Sequence, residues 1–163
     1  MAAPVDVMRA LIGADPGGAA WLPRLLQALP EIHWGAVRTP GILRATPLAR
    51  EINIVDGVVR LPCCLETSTL VLALEDARDD RLPAGMPADP QRHRVSQVIE
   101  ALRVIASGRH FGVAIIAREG YAEPHRTTIL EGLPHLEREE AEDLYANYWG
   151  WISEETLDAL ASS

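Results

Sequence analysis

The sequence contains no lysine, and all fifteen of its basic residues are arginine. Mechanisms that need a Schiff-base lysine or the lysine of a phosphate-binding P-loop are therefore excluded. Cysteine is also scarce: Cys63 and Cys64 are adjacent, a spacing at which a disulfide would be strained. Two buried free thiols in a reducing compartment are the simpler interpretation, which predicts a cytoplasmic protein.

Long apolar runs and known catalytic motifs are missing as well. No stretch approaches the roughly 18 apolar residues of a membrane span, and residues 1–13 lack the basic start of a secretory signal. The motifs GxSxG, HExxH, CxxC and GxxxxGK do not occur. We therefore expect no membrane association, no cofactor, no metal ion and no catalytic residue, and we interpret the chain as non-enzymatic.

Acidic charge is concentrated near the end of the sequence. Residues 1–130 contain fourteen acidic and fourteen basic residues, whereas residues 131–163 contain nine acidic residues and only Arg138 as a basic one. The whole net charge of −8 thus belongs to the last fifth of the chain. A nucleic-acid partner is disfavoured, because neutralising phosphates requires a concentrated basic surface.

The clearest structural signal is a helix followed by a buried strand in the middle of the chain. Asp89 and Pro90 fit the N-cap and first position of a helix over residues 91–107, and Gly108 fits its left-handed end. Residues 111–117 are apolar on both faces, as in an interior strand. The apolar stripe of the helix consists of Val95, Val98, Ile99, Leu102 and Ile105.

A β-hairpin is predicted over residues 52–61, around the turn Asp56-Gly57. This turn would place Ile54 opposite Val59 and Ile52 opposite Leu61 on one apolar face. Further strands are predicted at residues 69–75 and 125–130, and further helices at residues 5–12, 21–29, 136–148 and 153–160.

These elements predict a single α+β domain over residues 1–163. Its mainly antiparallel sheet would have about five strands, including the hairpin and residues 111–117, with helices packed against it. Residues 1–50 would form a helical and irregular part, and residues 131–163 an acidic helical segment. This length is sufficient to bury a core without disulfide or metal support.

Three polar clusters could carry chemistry, but each also has a plain structural interpretation. His125 with Glu119 and Glu123 could act as acid–base machinery, or could be a solvated polar loop. His135 and Glu139 have the helical spacing of a metal-binding pair, or could be ordinary polar residues at a helix start. The acidic residues Asp76, Asp79 and Asp80 lack the glycine and terminal glutamate of a calcium-binding loop.

Two loops leave similar alternatives open. The glycine-rich turn at residues 13–18 could cradle phosphate, but no strand precedes it and no lysine completes it. The connection at residues 38–50 contains two prolines, and could be a partner-binding arm or a packed surface loop.

Aromatic residues cluster in the acidic segment, where four of the eight in the chain fall within seven residues. Tyrosine and tryptophan dominate protein-binding hot spots, and these four do not lie on one helical face, so we expect some of them to be exposed. The predicted partner-binding residues are Glu137, Glu139, Glu140, Glu142, Tyr145, Tyr148, Trp149 and Trp151.

The predicted element order is helix, three strands, helix, two strands, helix. With the small size, the acidic pI and the acidic last helix, this order resembles the class I type III secretion chaperones, the bacterial Tir-chaperone (CesT-like) family. Residues 52–57, 98–102 and 129–134 carry the resemblance, whereas the N-terminal third departs from it. The resemblance implies a non-enzymatic cytoplasmic homodimer that holds the extended N-terminal segment of another protein.

Other functional classes remain compatible with the sequence. An acidic immunity or inhibitor protein, or a phage structural component of the tail, would use the acidic segment as its contact surface. A small enzyme without a recognisable motif would have to assemble its site from scattered residues. In the first two cases, as for a chaperone, the partner is another protein, either basic or partly unfolded, and a homo-oligomer is expected.

Overall fold

The computed structural model describes residues 3–30, 42–45, 50–55, 57–78 and 93–161, with residues 42–45 described as backbone. Within these ranges the chain forms six helices and seven strands. Their bounds are α1 Pro4–Ala14, α2 Leu22–Ala28, β1 Ile42–Ala45, β2 Arg50–Ile54, β3 Gly57–Leu61, β4 Cys64–Thr67, β5 Leu70–Asp76, α3 Arg94–Ala106, β6 His110–Ala117, α4 Arg126–Glu131, α5 Arg138–Tyr145, β7 Tyr148–Ser153 and α6 Glu154–Ala161.

The α+β class is confirmed, but the predicted sheet is wrong in its composition. Five strands form one mixed sheet in the order β1-β4-β5-β6-β7, while β2 and β3 form a separate two-stranded sheet. The pairs β1/β4 and β4/β5 are antiparallel, and the pairs β5/β6 and β6/β7 are parallel. Each parallel pair is joined by a helical crossover, because parallel neighbours cannot be linked by a tight turn.

Helix α3 is the first of these crossovers, and its predicted packing is confirmed. The side chains of Val95, Val98, Ile99 and Leu102 are fully buried, and Ile105 is half-buried. The helix ends at Ser107 and Gly108, which have φ values of 52° and 82° in the left-handed region. Its N-cap is His93, whose Nδ1 accepts a hydrogen bond from the backbone N–H of Val95 at 3.1 Å. The predicted cap at Asp89 and Pro90 lies outside the described residues.

The five-stranded sheet separates two apolar cores. Strand β5 supplies both, since Leu70, Leu72 and Leu74 face one side and Val71 and Ala73 face the other. The first core is completed by α1, α2 and α6. The second is completed by α3, α4, α5 and the β2–β3 hairpin. The molecule is therefore layered, with helices on both faces of the mixed sheet.

The β2–β3 hairpin has the predicted apolar face but a different register. Ile52 pairs with Val59, and Ile54 pairs with Gly57, so the pairing is shifted by two residues from the predicted one. A shift of two residues keeps every side chain on its original face, because side chains alternate with a period of two. Ile52, Val59 and Leu61 are accordingly all buried.

Two predictions for the C-terminal third are wrong. Residues 125–130 were predicted to form a strand, but Arg126–Glu131 is the helix α4. The acidic helix ends at Tyr145 rather than at residue 148, and Tyr148–Ser153 is the edge strand β7, although no strand was predicted there. The last helix is α6, and Ser153 caps it by accepting a hydrogen bond from the N–H of Thr156 at 3.2 Å.

Candidate functional site

Strand β7 divides the clustered aromatic residues between the two cores. Between the pairs Val113↔Tyr148 and Ile115↔Trp151, β7 uses one residue more than β6. That extra residue is a β-bulge, and Gly150 within it has a φ of 91°. The bulge allows Tyr148 and Trp151 to face the α3 side while Trp149 faces the α1 side.

The burial of these aromatic residues corrects part of the predicted binding surface. Tyr148 and Trp149 are only 3% and 5% exposed, so both are core residues rather than free contact residues. Tyr145 and Trp151 are half-buried and retain an accessible face. The prediction that the four could not all face the core assumed a helix. A bulged strand buries two of them on opposite sides.

The accessible aromatic rings belong to a continuous surface. Tyr121 and Trp151 pack edge to face, with ring centroids 5.6 Å apart and an interplanar angle of 65°. Tyr145 lies beside Tyr148 with a centroid separation of 6.2 Å. We define the acidic–aromatic surface as Tyr121, Glu123, Arg126, Tyr145 and Trp151 together with the acidic residues of α5.

Glu123 is anchored to this surface by the buried ring behind it. The hydroxyl of Tyr148 donates a hydrogen bond to Oε2 of Glu123. Burial raises the pKa of Tyr148, and the hydrogen bond and the negative charge of Glu123 raise it further. The phenol therefore stays protonated and acts as a donor. The pKa of Tyr121 is raised as well, first by burial and then by Glu123.

Arg126 connects the aromatic rings to the acidic helix. Its guanidinium carbon lies over the ring of Tyr145, 5.4 Å from the centroid. The same guanidinium approaches the carboxylate of Glu142 at 3.7 Å. The sequence pattern predicted a strand at residues 125–130 and no role for Tyr121, so neither Arg126 nor Tyr121 was among the predicted binding residues. The sequence signal that could have indicated them is weak: an aromatic residue and an arginine stand close to acidic residues along the chain.

Arginine residues neutralise part of the acidic helix α5. Arg103 of α3 pairs with Glu140 at 2.7 Å, and Arg138 pairs with Glu142 at 3.2 Å. Glu137 and Glu139 are exposed, and within the described residues neither forms an ion pair. The exposed carboxylates without an ion pair in the described residues are therefore Glu137 and Glu139 at the start of α5 and Asp143 in its last turn.

The possible acid–base cluster of Glu119, Glu123 and His125 is not assembled. Glu123 is hydrogen-bonded to Tyr148, whereas Glu119 and His125 are exposed on the loop before α4. His125 is the N-cap residue of α4 but makes no capping hydrogen bond with its side chain. These three residues share a loop without forming a common hydrogen-bonded site in the described residues.

The residues considered above as possible metal ligands make structural contacts where the structure describes them. Nε2 of His135 is hydrogen-bonded to a carboxylate oxygen of Glu100, a residue of α3 that is 9% exposed. The partner of His135 is therefore α3 and not Glu139. The carboxylate of Asp76 accepts hydrogen bonds from Nε and Nη2 of Arg78, at 2.9 and 2.8 Å. The other two acidic residues of that loop, at positions 79 and 80, lie outside the described residues. Within the described ranges no three side chains are grouped as metal ligands.

A buried ion pair beneath α3 was not anticipated from the sequence. Nη2 of Arg94 lies 2.9 Å from Oε1 of Glu75 and also donates to the backbone carbonyl of Arg60. Burial raises the pKa of Glu75, and the guanidinium of Arg94 opposes that rise. Gln97, one turn further along α3, is fully buried. Arg94 thereby connects the five-stranded sheet to the β2–β3 hairpin.

Comparison with protein-family models, with curated proteins and with solved structures gives no match to this chain. In the described part of the chain, no helix combines the length and the apolar character that a bilayer crossing requires. The acidic–aromatic surface is consequently interpreted from its own geometry and charge.

Proposed function

We propose that this chain is a protein-binding module whose acidic–aromatic surface receives a basic segment of a partner polypeptide. The observation that carries this proposal is the half-buried pair Tyr121–Trp151 beside the anchored carboxylate of Glu123. Aromatic rings held rigid by packing lose little conformational entropy on binding and commonly form hot spots.

The charge of the surface selects the partner. Exposed carboxylates stand at the N-cap of α5, Glu137, and in its first turn, Glu139. Glu142 of the same helix is linked to the ring of Tyr145 through the guanidinium of Arg126. Arginine or lysine side chains of a partner would meet carboxylates at the rim and aromatic faces at the centre, where cation–π contacts form. Opposite charge also accelerates the encounter of the two chains.

The resemblance to the type III secretion chaperones contributes only the kind of partner, an extended segment of another protein. The predicted element order on which this resemblance rests included a strand at residues 125–130, whereas Arg126–Glu131 is the helix α4. We retain the homodimer as part of the proposal, together with the immunity or inhibitor protein and the phage tail component as alternatives of the same binding class.

A pair of synthetic peptides tests the proposal. One alternates arginine and glycine, and the other has glutamate in place of arginine. The arginine peptide should bind the purified protein and the glutamate peptide should not. Raising the salt concentration should slow its association, because exposed charges are screened beyond about 10 Å at 0.1 M salt.

Matched charge variants locate the interaction. Replacing Glu137 and Glu139 by glutamine should lower the association rate and flatten its salt dependence. Replacing Glu155 by glutamine and Asp158 by asparagine on α6 removes the same charge elsewhere and should change the rate less. An equal effect of both variants would show attraction by net charge alone, and would overturn the proposed surface.

The native mass of the complex with a natural partner distinguishes the alternatives. A homodimer holding one extended polypeptide corresponds to a chaperone, a one-to-one complex with a folded basic protein to an inhibitor, and a ring to a tail component. In each case, the Trp151→Ala variant should keep its fold but lose the partner. That result would show that the partner binds at the acidic–aromatic surface.

A further inference from the structure

One arginine of the protein itself lies on the aromatic rings of the acidic–aromatic surface. Arg126 is the first residue of α4, and its guanidinium carbon is 5.4 Å from the centroid of the Tyr145 ring. The same guanidinium approaches Oε1 of Glu142 at 3.7 Å. A ring face and a carboxylate are the two groups that best complement a planar guanidinium, through stacking and an ionic contact. Tyr145 and Glu142 therefore form a guanidinium subsite, and Arg126 occupies it.

The contacts that hold Arg126 in this subsite are weak. Its side chain is 52% exposed, and the separation of 3.7 Å from Glu142 is long for a charge-assisted hydrogen bond. Ion pairs and cation–π contacts at exposed positions contribute little, because water screens the charges. Glu142 also accepts a hydrogen bond from Nε of Arg138 at 3.2 Å, so its carboxylate keeps a positive partner when Arg126 moves away.

The helix that carries Arg126 is anchored at its other end. Ile129 of α4 is fully buried, and its carbonyl accepts a hydrogen bond from Oγ of Ser96 at 2.7 Å. Arg126 lies at the opposite end of α4, next to His125, whose side chain makes no capping hydrogen bond. Rotation of the Arg126 side chain is therefore sufficient to open the subsite, and the backbone of α4 can stay in place.

We propose that the Tyr145 ring and the carboxylate of Glu142 are the subsite for an arginine side chain of the partner, and that Arg126 fills this subsite until the partner displaces it. This inference rests on the proposed function and specifies the partner as arginine-bearing. A lysine ammonium is a strongly hydrated point charge without a planar face, so it replaces a stacked guanidinium poorly. Arg126 is an internal competitor, because the apparent affinity falls by the fraction of molecules in which the subsite is open.

Variants at position 126 test the displacement, with the arginine–glycine peptide as the probe. Arg126→Lys keeps the charge and removes the planar group, and should tighten peptide binding about threefold. Arg126→Gln also removes a charge that repels the peptide, and should tighten binding about tenfold. A lysine–glycine peptide of the same length should bind the wild type more weakly, and should gain less than the arginine peptide from either substitution.

Position 138 supplies the matched control. Arg138 pairs with the same carboxylate of Glu142, but its side chain is 89% exposed, and within the described residues it does not lie over an aromatic ring. Arg138→Lys should leave the affinity unchanged. Arg138→Gln should tighten binding less than Arg126→Gln does, since it removes only a charge. Equal gains at the two positions would reduce the effect of Arg126 to net charge and would overturn the inference.

Two further measurements follow the displacement itself. Tyr145→Leu removes the ring face and should abolish the gain from Arg126→Lys, which an effect of charge alone would not do. In ¹⁵N spectra, the Nε–H signal of Arg126 is identified by its loss in Arg126→Lys. This signal should move when the arginine peptide is added, because the guanidinium leaves the ring of Tyr145. An unmoved signal in the saturated complex would overturn the displacement.

Failure of this inference differs from failure of the proposed function. If the wild type and both variants at position 126 bind no arginine peptide, the acidic–aromatic surface is not a binding site and both proposals fall. If the wild type binds the peptide and Arg126→Lys brings no gain, only the displacement of Arg126 is overturned and the proposed function stands.

Discussion

Gly112 and Trp149 lie in direct contact across the parallel strands β6 and β7. A Cβ atom at position 112 would lie 2.6 Å from Cε3 of the indole and closer still to Cδ2 and Cε2. The ring of Trp149 thus occupies the space that any other residue at position 112 would need. This contact explains how a tryptophan on the edge strand can be buried against the first core.

We expect Gly112→Ala to destabilise the protein by about 1–3 kcal/mol, because it overpacks a rigid core. Chemical denaturation measures the free energy of unfolding. Gly13→Ala is the matched control, since position 13 lies in α1 with no atom within 4 Å of the added Cβ. It should stabilise by up to about 1 kcal/mol through higher helix propensity. Equal effects of both substitutions would contradict the steric explanation.

The two tryptophans of β7 should separate stability from binding. Trp149→Ala removes a core side chain and should cost about 3–5 kcal/mol, seen as a large fall in Tm. Trp151→Ala should cost less, because that ring is half-buried, and should instead accelerate dissociation of the arginine peptide. The reverse pattern, with Trp149→Ala folded and defective only in binding, would contradict the assignment of the bulge.

Leu102→Ala should destabilise by about 2–5 kcal/mol, because its side chain is fully buried between α3 and the sheet. Val104→Ala lies two residues further on the same helix, where the side chain is 60% exposed. It should change the free energy of unfolding by no more than about 0.5 kcal/mol. Thermal and urea unfolding of both variants at one pH measure the difference.

Tyr148→Phe should alter the response of the protein to alkaline pH. The folded-state pKa of Tyr148 is raised, so above about pH 10 the unfolded chain releases this proton while the folded chain keeps it. The wild type therefore loses stability as the pH rises beyond that value, by up to about 1.4 kcal/mol per pH unit from this group. The phenylalanine variant should lose less over the same range, although it starts lower at pH 7 for want of the hydrogen bond to Glu123. Parallel curves for the two proteins would refute the raised pKa.

Local patterns were sufficient for the central part of the fold. Val98 and Leu102 belong to an apolar stripe with helical spacing, which predicts α3. The continuous apolar run after Gly108 has no such spacing, and it predicts the buried strand β6. The hairpin was also found, and its faces were correct. Its register was wrong because the turn residues Asp56 and Gly57 were taken as the loop, whereas Gly57 pairs with Ile54.

The C-terminal third could not be predicted because tertiary contacts decide it. Residues 125–130 are rich in β-branched side chains, yet they form a helix whose Ile129 carbonyl accepts a hydrogen bond from the buried hydroxyl of Ser96. A Cβ at Gly132 would lie 2.7 Å from Cβ of Ser96, so close packing against α3 holds this helix end. Likewise β7 is a strand because β6 provides a partner edge and Gly150 allows the bulge. Neither influence is visible in local propensity.

The candidate site depended on the same contacts. Composition and spacing pointed to the acidic residues of α5 and to Tyr145 and Trp151 as candidates, and the structure leaves both of these rings half-buried. The roles of Tyr121 and Arg126 arise only when the loop after β6 folds over β7 and α5. These residues are far from α5 in the sequence or belong to a misassigned element, so no pattern could connect them.

Within the described ranges, the β2–β3 hairpin shares no ladder of backbone hydrogen bonds with the five-stranded sheet. It is attached through side chains of α3, through the bond from Arg94 to the carbonyl of Arg60, and through the ion pair of Arg50 with Glu66 of β4. Undocking of the hairpin would therefore leave the backbone bonds of β5 and β6 intact. In native-state deuterium exchange, the amides of β2 and β3 should behave as a separate cooperative unit that opens at a lower free energy than the main sheet.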